Sequence, residues 1–125
     1  MRNGAGNVTF YEASERMEIR VLSFEGCPHF EATIILVGTV LRELGLQNQV
    51  NHVQIKDEAE AAEYHFLGSP AVQVDGKDIE VGRRGELPFF GCRLYRHGTS
   101  AKGVSPKEMI IKAIQEAQPH GASLK

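Results

Sequence analysis

A strand, a tight corner and a long helix are written one after another in Arg20 to Gly45, RVLSFEGCPHFEATIILVGTVLRELG. No other stretch restricts the fold as strongly. Val21, Leu22 and Phe24 form an apolar run of strand length, which Glu25-Gly26 interrupts. Pro28 suits the first helical position, because the N–H it lacks would be unpaired there anyway. Cys27 then falls at the N-cap, where free backbone N–H groups and the positive end of the helix dipole favour a thiolate. Phe30, Ile34, Val37, Leu41 and Leu44 recur at the three- and four-residue spacing of one helix face. Gly45 supplies a left-handed position past the helix, and Leu46 closes back on the last turn. A cysteine set this way is a reactivity device. The competing reading is a small buried hydrophobe, the fate of most free cysteines.

Composition narrows the setting. A chain of 125 residues with 42% hydrophobic content makes one domain with a modest core. A net charge of −2 and a pI near 6.2 give no electrostatic reason to expect nucleic acid or an acidic membrane surface. No apolar run approaches the roughly 20 residues of a spanning helix. The first residues, MRNGAGNVTFYEASER, lack the apolar segment of an export signal, so a cytoplasmic protein is expected. Two cysteines there argue for a reactive or redox pair rather than a structural staple. They are too few for a four-cysteine zinc site, and the five histidines show no ligand spacing with them. Neither a bound metal nor a cofactor is expected.

Residues 1–16 are polar and without periodicity, and are taken as a flexible leader, with Met17 an alternative start. A domain over residues 17–118 follows. Its first strand spans about Glu18–Phe24, and the Cys27 helix runs to Leu44. Val50 to Ile55 alternates as a second strand, parallel to the first through a right-handed crossover. Asp57 caps a second helix with Glu60 as its capping-box partner. Ala59, Ala62 and Phe66 give that helix an apolar face, and Gly68 ends it. Asp75-Gly76 joins strands at Ala71–Val74 and Lys77–Val81 in an antiparallel hairpin. Residues 82–104 read as an insertion, long for a connection in a compact domain and therefore a functional candidate. Within it Phe90, Cys92 and Leu94 alternate like a strand face. Ser105, Pro106 and Glu108 open the last helix as N-cap, N1 and N3, and Ile110, Ala113, Ile114 and Ala117 form its buried stripe. Pro119 stops it, leaving a frayed tail over 119–125.

The order β-α-β-α-β-β-α, with a cysteine opening the first helix and a proline before the third strand, resembles the thioredoxin fold. The marks are Gly26-Cys27-Pro28-His29-Phe30, the Gly68-Ser69-Pro70-Ala71-Val72 turn and the Asp-Gly hairpin after it. The resemblance implies a mixed four-stranded sheet with helices on both faces, and a cis Pro70 facing Cys27. The CPH triplet is similar to the active site of the disulfide-forming oxidases of that superfamily, with Phe30 where they carry a second cysteine. FEGCPHFEAT, FLGSPAVQVDGKDIE, GCRLYR and the PKEMI helix resemble small bacterial thioredoxin-like proteins, some labelled alkylmercury lyase-like. Monothiol glutaredoxins are a further comparison. Gly82 stands where their glycine turn lies, followed by Arg83 and Arg84 in place of their acidic residue.

These readings make Cys27 a nucleophile toward disulfides or soft electrophiles, tuned by His29, with Pro70 bordering the substrate groove and Ser69 beside it. Cys92 is either a resolving thiol supplied from the insertion or a core residue sharing a buried face with Phe90 and Leu94. Arg83 and Arg84 either attract an anionic substrate or are simply solvated. His52, His65, His97 and His120 carry no assigned role. The expected partner is a protein or small-molecule thiol or disulfide. A soft metal such as mercury, held by Cys27 and Cys92, is the alternative, with Glu25 and Glu31 as nominal proton donors for organomercurial cleavage. A non-enzymatic interaction domain is the third.

Overall fold

The computed structural model describes residues 17–118; the leader over residues 1–16 and the tail from residue 119 lie outside them. A mixed four-stranded sheet in the order β2-β1-β3-β4 gives the α/β architecture. β1 (Ile19–Ser23) and β2 (Val50–Gln54) are parallel, with Ile19 opposite Val50 and Ser23 opposite Gln54. β3 (Ala71–Val74) lies antiparallel on the other side of β1, Leu22 facing Ala71 and Ile19 facing Val74. β4 (Lys77–Asp78) returns through Asp75 and Gly76, at φ of 52° and 81°. Positive φ at both positions is what a two-residue type I′ hairpin requires.

Strand alternation sends neighbouring residues to opposite faces, and each face has its own core. Ile19, Val21, Val72 and Val74 pack with Val37, Val40 and Leu41 of α1 (Phe30–Glu43) and Ile110, Ala113 and Ile114 of α3 (Lys107–Ala117). On the other face Leu22 and Ala71 pack with Ile55, Phe66 and Ala61 of α2 (Glu58–Glu63). Each of the valine, leucine and isoleucine side chains, fully buried, contributes roughly 1.5–3 kcal/mol.

Most element ends fall where the residues direct them. After α1, Gly45 takes φ 72° and Leu46 N–H donates to Leu41 O at 2.9 Å, the closing bond expected there. Asp57 caps α2 by accepting from Glu60 N–H at 2.9 Å, while Glu60 accepts from Lys56 N–H at 2.8 Å. The apolar face expected from Ala59 and Ala62 is corrected: Ala61 is the buried alanine, because α2 stops at Glu63 and His65 turns into the left-handed region at φ 53°. β4 also ends earlier than expected. The Asp78 carboxylate accepts from Glu80 N–H at 2.8 Å, curling the chain into a 3₁₀ turn over Val81–Arg83. The last helix starts one residue late, with Pro106 as its N-cap and Ser105 buried before it. The insertion carries a hairpin that alternation alone did not reveal, β5 (Tyr95–His97) paired with β6 (Ser100–Lys102).

Candidate functional site

Cys27 lies in the corner between β1 and α1, half-buried and free. Its expected place at the N-cap is corrected: His29 is the N-cap and α1 begins at Phe30. Cys27 N–H donates to Phe24 O at 3.2 Å and Phe30 N–H to Cys27 O at 3.4 Å. Cys27–Phe30 therefore forms a turn of its own, with Pro28 at the second position that its fixed φ suits. The helix ladder starts only with Thr33 N–H on His29 O at 3.1 Å, reinforced by the Thr33 hydroxyl at 2.9 Å. His29 is exposed, yet a Cβ on Gly103 would overlap its ring, so the far end of the insertion lies flush against the imidazole. Phe30 stacks on His52 with ring centroids 4.1 Å apart, and His52 Nε2 bonds Ser23 Oγ at 3.1 Å.

The Ser69–Pro70 peptide is cis, as expected from the sequence. Ser69 is buried, and its Oγ accepts from Phe24 N–H at 3.3 Å, tying the turn to the end of β1. The insertion joins the same residue from the other side. Ser69 N–H donates to Gly91 O at 2.7 Å and Arg93 N–H donates to Ser69 O at 3.1 Å, a parallel bridge with Cys92 between them. Both cysteines are thus attached, through short backbone connections, to Ser69. Gly68 makes the approach possible: at φ 114° its missing Cβ would collide with Arg93 Cβ.

The core placement of Cys92 beside Phe90 and Leu94 is corrected, because the strand phase is the reverse. Cys92 is exposed, Leu94 is 62% and Phe90 37% exposed, whereas Arg93 and Tyr95 are buried. The inward side is held by a charge cluster that the sequence reading missed. Arg93 grips Asp78 with both guanidinium nitrogens, at 2.8 and 3.2 Å, and Glu80 at 2.9 Å. Its guanidinium lies 4.2 Å from the Tyr95 ring centroid. Tyr95 O–H donates to Pro70 O at 2.6 Å. Burial works against the Arg93 charge, but Asp78, Tyr95 and Glu80 together outweigh it and hold the guanidinium firmly protonated. Burial pushes the Tyr95 phenol above its ordinary value. The signal available beforehand was an arginine and a tyrosine in phase within CRLY, two charged residues in phase within DIE, and nothing to join them.

Arg83 and Arg84 stand near the start of the insertion with their charges taken up. Arg83 pairs with Glu86 at 3.0 Å and Glu80 at 3.6 Å. Arg84 donates to Asp78 O at 2.6 Å and grips Glu116 of α3 at 3.0 and 3.1 Å. His65 bonds Arg84 O and His97 bonds Val104 O, so both act within the scaffold. His120 lies outside the described residues. Glu25 and Glu31 are exposed on either side of the corner. Among the described residues no three His, Cys, Asp or Glu side chains gather as a metal site.

Between the two cysteine-bearing segments opens a groove of about 380 Å³, lined by Phe24 and Glu25, by Gln54, Ile55 and Lys56, and by Phe90. Phe24 and Phe90 meet edge to face with centroids 5.7 Å apart. No helix of the described residues is long and apolar enough to cross a membrane. Comparison with protein families, curated proteins and solved structures finds no match for this chain.

Proposed function

We propose that the protein is a thioredoxin-like thiol oxidoreductase whose nucleophile is Cys27 and whose resolving thiol is Cys92. The parallel β1–β2 pair, the antiparallel β3–β4 hairpin and helices on both faces agree with that topology. The observation that carries the reading is the double attachment at Ser69. Its hydroxyl holds the strand leading to Cys27, and its backbone holds the exposed Cys92.

In the proposed cycle the Cys27 thiolate attacks one sulfur of a substrate disulfide and expels the other half as a thiolate. The Cys92 thiolate then attacks the Cys27 sulfur of the mixed disulfide and releases the second half. The substrate gains two electrons, and the protein is left with a Cys27–Cys92 disulfide that an external thiol must reduce. His29 is the third residue of the corner turn and supplies an imidazole two residues from Cys27. Arg83 and Arg84 are already paired with carboxylates, and the proposed cycle does not call on them for anion binding.

Mild oxidation with diamide followed by mass spectrometry tests the reading. A link between Cys27 and Cys92 with loss of two hydrogens is expected. Cys92→Ser should accumulate a mixed disulfide at Cys27 when offered a disulfide substrate. No internal link, with Cys92→Ser indistinguishable from the parent, would remove Cys92 from the cycle.

A further inference from the structure

We infer that the groove lined from both cysteine-bearing segments is a binding site for a low-molecular-weight disulfide whose reacting sulfur carries an uncharged, apolar group. The inference rests on the oxidoreductase reading and adds the class of substrate. Both thiol-bearing segments contribute to the groove, which ties it to the two cysteines along the chain. Phe24 and Glu25 lie within three residues of Cys27, and Phe90 lies two residues before Cys92. Neither cysteine is part of the lining, so the groove's place in the reaction is to seat the group attached to the sulfur that Cys27 attacks. Its volume falls in the range of about 300–1,000 Å³ that small-ligand pockets occupy.

Charge decides what the occupant carries. The groove contributes one carboxylate, Glu25, and one ammonium, Lys56, and neither side chain is in an ion pair among the described residues. Their sum is zero, so the lining has no net attraction for an anion. Of the insertion's guanidinium groups, Arg83, Arg84 and Arg93 are each bound to carboxylates, and the exposed Arg96 belongs to a different concavity with Leu94 and Thr99 and is not part of this lining. A polyanionic disulfide such as oxidised glutathione finds no free cationic cluster here. An apolar ring finds the Phe24 and Phe90 rings and an isoleucine. Phe90 is the selecting residue of the three, because it comes from the insertion and is partly exposed, whereas Ile55 is buried in the core.

Single-turnover reaction of the full-length reduced protein tests this with four probes: 2,2′-dithiodipyridine, hydroxyethyl disulfide, oxidised glutathione and insulin. Each rate is read as the ratio of the parent to Phe90→Ser, so the intrinsic reactivity of the probe cancels. A fall of about tenfold is expected with dithiodipyridine, equivalent to roughly 1.4 kcal/mol of lost contact. Hydroxyethyl disulfide and oxidised glutathione should stay within twofold. Equal falls with all the small disulfides would overturn the proposal, as would no fall with dithiodipyridine. A fall confined to insulin would assign the groove to polypeptides and overturn it as well. Binding is read separately by NMR, with dithiodipyridine added to the Cys27→Ser/Cys92→Ser double variant. Shifts at Phe24 and Ile55 that vanish in the Phe90→Ser background support the site even if Cys27 proves unreactive. The absence of such shifts refutes it.

Discussion

The two cysteines stand on supports of opposite kinds. The Cys27 corner is held by main-chain turn bonds and by one serine hydroxyl, and its neighbours Glu25, Pro28 and His29 are exposed. The Cys92 stretch has no regular structure between the 3₁₀ turn and β5, yet its next residue is driven into the protein and gripped by two carboxylates. A tight corner is specified by backbone chemistry and tolerates change in its side chains. An irregular segment is specified by a few buried side chains and fails when one is lost.

The largest expected effect separates the two directly. Arg93→Met leaves Asp78, whose side chain is 1% exposed, as an uncompensated buried charge. A loss of about 3–5 kcal/mol in urea unfolding is expected. At the other support, His29→Ala should stay within about 0.5 kcal/mol. Comparable losses at both would erase the distinction.

Tyr95→Phe sharpens it. The phenol donates to Pro70 O at 2.6 Å, joining β5 to the turn between the two cysteines. Its removal should cost about 1 kcal/mol in stability. It should also raise the alkylation rate of Cys92 more than that of Cys27, which peptide mapping after brief iodoacetamide treatment resolves.

The smallest effect comes from the tie between the insertion's start and α3. The Arg84 hydrogen bonds hold the Glu116 carboxyl below the usual carboxylate range. A depressed folded-state value stabilises the protein above the unfolded pKa of about 4.3 and loses that contribution as pH falls through the folded value. Glu116 is 46% exposed, so solvent screening limits the pair to about 0.5 kcal/mol. Glu116→Gln should therefore match the parent near pH 3 and fall slightly below it at pH 7.

The same contrast explains what could be read from the chain. Gly26, Pro28, Gly45, Asp57 and Asp75-Gly76 act on their immediate neighbours, so the strands, hairpin and helix ends were legible. The helix start was misplaced by two residues because Cys-Pro-His-Phe suits a separate turn as well as a first helical turn. The phase of Phe90 to Tyr95 was not legible. Alternation says only that odd and even positions separate, and apolar content favoured the wrong set. The deciding term was the pairing of Arg93 with Asp78 and Glu80, which depends on where β4 ends. Arg84 looked available for the same reason, its partner Glu116 lying 32 residues away, whereas the partners of Arg83, Glu80 and Glu86, stood three residues to either side.

The clamp also bears on the order in which the site assembles. Asp78 and Arg93 are separated by 15 residues and Pro70 and Tyr95 by 25, whereas Phe24 and Ser69 are separated by 45. The entropy of closing a chain loop rises only with the logarithm of its length, but contacts at short separation are still met first. Once the β3–β4 hairpin exists, the insertion can close on it without waiting for β1. The half of the site that bears Cys92 is therefore expected to close first, with the half that bears Cys27 joining it when the sheet is completed.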